Sequence, residues 1–180
     1  DMGGSNATNT SGSTTSTVRA NTTYGQSIVS WTGSGSAGTI GHGLGTVPEM
    51  IIVKNRDAAD DWRVYHASNT ANPETDFLEL NATTATTDSD GNWNDTAPTS
   101  SVFTVGDADQ TNTNTEKYIA YCFDSVTGYS KFGNYTGTGG THTVTLGFKP
   151  AFLMIKNIDD IGKWVIFDNT RSPTNNASAG

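Results

Sequence analysis

Cys122 and three histidines, His42, His66 and His142, are the residues of this sequence whose types could support nucleophilic chemistry, a thiolate activated by an imidazole base. Cys122, however, lies in the run Tyr118-Ile119-Ala120-Tyr121-Cys122-Phe123, which reads as a buried strand where cysteine behaves as a small hydrophobe. His42 sits beside Ile40 and Leu44, and His142 beside Val144 and Leu146; both read as structural histidines with satisfied nitrogens. Asp88, Asp90 and Asn92 make an acidic turn that suggests calcium, but Gly91 holds the fourth loop position and Thr99 the twelfth, where an EF-hand needs glycine at the sixth and a bidentate Glu at the twelfth. Asp57, Asp60 and Asp61, echoed by Asp159 and Asp160, read as hairpin turns. No Ser, His and Asp elbow, phosphate loop, metal-spaced Cys or His pair, or pair of catalytic carboxylates is present, so the sequence points to no catalytic residue, metal site or cofactor.

Aromatic residues offer a second kind of chemistry, because sugar rings stack on exposed aromatic faces. Trp62 and Trp164 open two similar segments and are expected in the core. Trp93 stands alone in a Thr-, Asp- and Asn-rich loop and is the candidate for a carbohydrate or receptor contact.

The elements that must position these residues are strands. The chain has 180 residues, of which 33% are hydrophobic and 16% charged, and thirty are threonine, a β-branched residue that suits the solvent face of a strand. A formal charge of -8 with ten Lys and Arg spread thinly gives no basic stripe, which argues against a nucleic-acid partner. No apolar run approaches the ~20 residues of a membrane helix, so no membrane insertion is expected. With one cysteine, no internal disulfide can form.

Short apolar runs alternate with Gly, Asp, Asn and Pro clusters at 27–31, 39–44, 50–55, 62–66, 77–80, 102–105, 117–123, 130–135, 141–146, 151–157 and 164–168. The expected fold is an all-β antiparallel sandwich, jelly-roll-like. The continuously apolar segments 50–53 and 152–155 are expected at its centre, covered on both sides. Residues 1–23 are nearly all Gly, Ser, Thr and Asn and read as a polar linker, or an arm that orders along a neighbouring chain. The sandwich is assigned to 24–173. Residues 174–180 read as the start of another linker, both ends looking cut from a longer polypeptide.

The chain also repeats itself. Pro48, Lys54, Asn55, Asp57 and Trp62 recur as Pro150, Lys156, Asn157, Asp159 and Trp164, each displaced by 102 positions. Upstream, Thr32-Gly33-Ser34-Gly35 recurs as Thr136-Gly137-Thr138-Gly139, displaced by 104. The repeated unit, 24–66 and 128–168, fits either two related halves of one sandwich or a motif that opens this unit and also opens the next.

Several stretches together resemble a known but uncharacterised family. They are Gly41-His42-Gly43-Leu44-Gly45 with Pro48, Ile51-Ile52-Val53-Lys54-Asn55-Arg56, Trp62-Arg63-Val64-Tyr65-His66, Tyr118-Ile119-Ala120-Tyr121-Cys122-Phe123, Gly128-Tyr129-Ser130-Lys131-Phe132-Gly133, Tyr135-Thr136-Gly137 and Gly147-Phe148-Lys149-Pro150-Ala151-Phe152. The likeness, from about Tyr24 to Pro173, is to a β-rich domain of tail-fibre-like and other virion proteins of bacteriophages, notably marine and cyanobacterial ones. It implies a structural, non-enzymatic module of a virion that assembles with further copies or other virion proteins and contributes to host-surface attachment, with a host surface glycan as the candidate partner. The alternatives are a secreted bacterial carbohydrate-binding or filament-forming protein and, third, a surface polysaccharide hydrolase.

Overall fold

The computed structural model describes residues 2–171 and is nearly all β. Its main sheet has eight antiparallel strands in the order β1 (Ala7–Asn9), β2 (Ser16–Asn21), β3 (Gln26–Thr32), β10 (Lys117–Phe123), β5 (Met50–Asn55), β6 (Arg63–His66), β7 (Asp76–Glu79) and β8 (Thr87–Asp88). β4 (Gly38–Gly41) and β9 (Val102–Val105) form a small second sheet, and β11 (Phe152–Ile155) with β12 (Val165–Asp168) a third. Two single-turn helices, α1 (Asp90–Trp93) and α2 (Asp109–Asn112), flank β9.

Alternation along the strands decides which side is buried. In β3, Ser27, Val29 and Trp31 point to one face, and in β10 Tyr118, Ala120 and Cys122 do the same, all buried. Ile51, Val53, Tyr65 and Phe77 continue that face, and β4 and β9 cover it with Ile40, Phe103 and Val105. Trp31 joins the layers, stacking on Tyr118 with ring centroids 5.4 Å apart and meeting Phe103 edge-on at 5.7 Å. This is the sandwich core, and each side chain fully buried in it contributes about 1.5–3 kcal/mol of transfer free energy. On the opposite face, Met50, Val64 and Leu78 form a smaller cluster to which Met154, Ile158 and Trp164 are added from the far end of the chain.

Met50 to Val53 are central, as expected: β5 lies between β10 and β6. Three other expectations are corrected. The segment expected as a polar linker or intermolecular arm is built into the domain, because its residues 7–9 and 16–21 are β1 and β2 of the main sheet. Val18 is buried in the core with Ala20 packed against it, and hydrogen bonding and close backbone approach supply the rest. Ser16 Oγ donates to the Gly41 carbonyl at 2.8 Å, and Thr14 N donates to the Thr39 carbonyl at 3.1 Å. A Cβ on Gly12 would lie 2.2 Å from the Thr39 oxygen, and one on Gly41 the same distance from Asn9 Oδ1, so the leader seats only against glycine.

Phe152 to Ile155 are not central. β11 pairs with β12 alone among the described residues and has no strand on its other edge; the segment packs on the Met50, Val64 and Leu78 cluster through Met154, and Phe152 is left 59% exposed. The expected strands at 130–135 and 141–146 do not form either: beyond a single antiparallel bridge between Ser130 and Val126 neither segment joins a ladder, and both are mostly exposed, with Phe132 half-buried against Phe123. The expected linker at 174–180 lies outside the described residues.

Candidate functional site

Three of the four reactive side chains, Cys122, His42 and His66, are used by the fold. Cys122 is fully buried beneath β4 and β9, and burial pushes its thiol up to about 12, far from a reactive thiolate. His42 is also fully buried; the Leu44 amide donates to its Nδ1 at 3.2 Å and its Nε2 lies 3.0 Å from the Thr99 carbonyl. That pair of partners assigns the neutral tautomer with the proton on Nε2. Burial holds His42 below the ordinary imidazole range, opposed in part by the Thr99 carbonyl. His66 is lowered for the same reason, opposed by the charge of Glu49, while its Nδ1 accepts from the Ser68 amide at 3.1 Å. His142 departs from the reading that paired it with His42: it is exposed and stacks on Tyr135, with centroids 5.5 Å apart.

Trp93 is corrected from surface contact to core. It is 2% exposed, its Nε1 donates to the Asp76 carbonyl at 2.9 Å, and Tyr65 meets its ring edge-on. The loop around it is polar, but α1 turns the indole inward so that only the polar neighbours face water. Asp90 begins that helix and Asn92 is buried beside it. Among the described residues no three His, Cys, Asp or Glu side chains converge as a metal set.

The acidic turns are scaffolding. Asn55 donates from Nδ2 to Asp60 Oδ2 at 2.7 Å and to Glu116 Oε2 at 2.5 Å, while its Oδ1 accepts the amides of Asp57 and Ala58. Asp57 takes the Lys117 amide and Asp61 the Asn81 side chain, so the acids of this turn tie β5 to β10 and to the loop after β7. Reading by residue type passes over the buried Arg63, which pairs with Glu79 and lies 4.2 Å above the Phe77 ring centroid. Nothing marks that pair in sequence, because the partners lie on adjacent strands, β6 and β7.

Among the exposed side chains, several are aromatic or aliphatic. Tyr24 and Tyr129, 44% and 52% exposed, sit with centroids 4.8 Å apart where the β2–β3 turn meets the loop after β10. Trp62, half-buried rather than core, stacks on Tyr121 at 6.5 Å. Its repeat counterpart Trp164 is also half-buried but donates through Nε1 to the Glu79 carbonyl at 2.8 Å.

Over its second half, from the strand after the proline to the end of the hairpin, the sequence repeat is a repeat of structure. In the β5–β6 hairpin Met50 pairs with His66, Ile51 with Tyr65, Ile52 with Val64 and Val53 with Arg63. In the β11–β12 hairpin Phe152 pairs with Asp168, Leu153 with Phe167, Met154 with Ile166 and Ile155 with Val165, so every partner is displaced by the same 102 positions. The turns match as well. Lys54 Nζ donates to the Asn55 carbonyl at 2.6 Å and Lys156 Nζ to the Asn157 carbonyl at 2.5 Å. Asn55 Oδ1 accepts the Asp57 amide and Asn157 Oδ1 the Asp159 amide, both at 3.0 Å. Pro48 and Pro150 precede the two hairpins at equivalent points. The copies differ in surroundings: the first is enclosed, and the second is attached by one side and otherwise open.

A family model described as a domain of unknown function (DUF7483) matches residues 1–179, and the chain belongs to that family. No curated protein and no solved structure matches the chain.

Proposed function

We propose that this DUF7483 domain is a structural, non-enzymatic module of a bacteriophage virion, in a tail fibre, appendage or capsid-surface protein, where it contributes to attachment to the host surface. The observation that carries the reading is that the chain's cysteine and its best-placed histidine are buried and bonded into the fold, while the paired aromatics Tyr24 and Tyr129 stand out to solvent on neighbouring turns. The dense resemblance over 24–173 to domains of phage virion proteins supports the same reading. With Trp93 in the core, the host-facing contact passes to the exposed Tyr24 and Tyr129 pair, two aromatic faces suited to a glycan ring.

Mass spectrometry of density-purified particles tests the assignment. Peptides of this chain are expected to co-purify with the major capsid and tail proteins at a fixed ratio; their presence only in particle-free supernatant would support a secreted protein instead. Tyr24→Ala with Tyr129→Ala is expected to reduce particle adsorption to host cells without changing thermal stability by more than about 1 kcal/mol, since both rings are largely exposed.

A further inference from the structure

The two registered hairpins show what the second one lacks. In the first copy the far edge of β5 is filled by β10, with Tyr118 opposite Asn55 and Phe123 opposite Met50, and the face carrying Ile51, Val53 and Tyr65 is closed over. In the second copy the matching edge of β11 has no strand among the described residues, and the matching face is only partly covered: Leu153 is 37% and Val165 44% exposed, with Ile155 and Phe167 half-buried, where Ile51 and Val53 are fully buried. Tyr135, displaced by 104 positions from Trp31, stacks on exposed His142 where Trp31 stacks on Tyr118 of β10. An open edge beside an apolar face is a hazard that folded proteins cover.

We infer that residues 128–168 are the opening of a second module of this same fold, and that the free β11 edge with the Leu153, Ile155, Val165 and Phe167 face receives an antiparallel strand of the β10 type belonging to that module. The occupant is therefore polypeptide carrying the counterpart of residues 67–123, with apolar residues alternating as Tyr118, Ala120 and Cys122 do. β10 of another copy of this chain does not serve, because it is already paired on both edges, between β3 and β5. The coil at 130–135 and 141–146 follows directly, since in the first copy the matching segments become strands by pairing with β10, β2 and β9. The inference does not depend on the virion reading.

Hydrogen exchange at residues 152–155 tests it in two formats. In one, the chain through Asp168 is extended by a second copy of residues 67–127; in the other, a peptide of residues 113–125 is added to the full chain. Expected is a slowing of exchange at 152–155 by about tenfold or more in at least one format, as ladder amides become protected. That slowing should be lost with Leu153→Asp, or when the added positions matching Tyr118, Ala120 and Cys122 are all Asp. The extended chain can fail by mispacking and the peptide by weak binding, so either success supports the inference. Unchanged exchange in both formats overturns it. So does protection that rises with concentration of the unextended chain alone and tracks a dimer, which would make a second copy the occupant.

Discussion

Ile51 and Leu153 occupy the same place in two copies of one hairpin, so truncating each to alanine measures surroundings with local structure held constant. Ile51 is fully buried between β10 and β6 and beneath β4 and β9. Its truncation forfeits the transfer free energy of the lost methyl and methylene groups and leaves a cavity in a layer closed on all sides, a loss of about 3–4 kcal/mol. Leu153 is 37% exposed and its site opens to solvent, so no cavity is sealed and only part of the transfer free energy is lost, about 1 kcal/mol. In a domain of this size the first substitution lowers Tm by about 10 °C and the second by about 3 °C. Urea unfolding followed by tryptophan fluorescence and by far-ultraviolet circular dichroism gives both values. Costs equal within about 0.5 kcal/mol would refute the asymmetry between the copies. A Leu153→Ala cost that rises toward the Ile51→Ala value in the extended chain would report the same closure by an independent route.

Two further substitutions test other parts of the structure. Trp93→Ala removes a buried indole and leaves the Asp76 carbonyl without its donor, for an expected loss of about 3–5 kcal/mol by chemical denaturation; a loss under about 1 kcal/mol would return Trp93 to the surface. For His42, a folded-state pKa below the unfolded value near 6.5 means the unfolded chain takes up the proton first. Its contribution is therefore complete above pH 6.5 and is lost as the pH falls below it, with a slope of at most about 1.4 kcal/mol per pH unit for one proton. His42→Gln is expected to flatten that part of the profile between pH 6.5 and 5; an unchanged profile would show that the group does not titrate with folding.

The parts of the fold legible in the sequence are those where burial on one face imposes alternation. β3, β5, β9 and β10 stand out because Val29 and Trp31, Ile51 and Val53, Phe103 and Val105, or Tyr118, Ala120 and Cys122 must reach one core. The leader was not legible because most of its order rests on Gly12, Gly41 and side-chain hydroxyl contacts, which leave no hydrophobic signature, and its one buried core residue is Val18; Val18 and Ala20 flanking Arg19 before the Tyr24-Gly25 turn were the available hint. Trp93 misled for the opposite reason: the polarity of a surface loop says nothing about the direction of one side chain within it. The repeat was readable as an identity of spacing, but the openness of its second copy was not, because periodicity records which residues could be covered and not whether a covering strand is at hand.

The position of β10 also governs how this sheet is assembled in time. The strands β3 and β5, separated by a short stretch of chain, do not touch in the sheet; the strand between them comes from residues 117–123. A growing polypeptide can close the β2–β3 and β5–β6 hairpins early, since their partners are near in sequence, but must hold two strand edges apart until the central strand has been made. The closing event is an insertion with loop entropy lost on both sides, which puts the module among slow folders. While the slot is empty, the edges of β3 and β5 accept an equivalent strand from any neighbouring chain, so crowded synthesis of this domain favours swapped pairs.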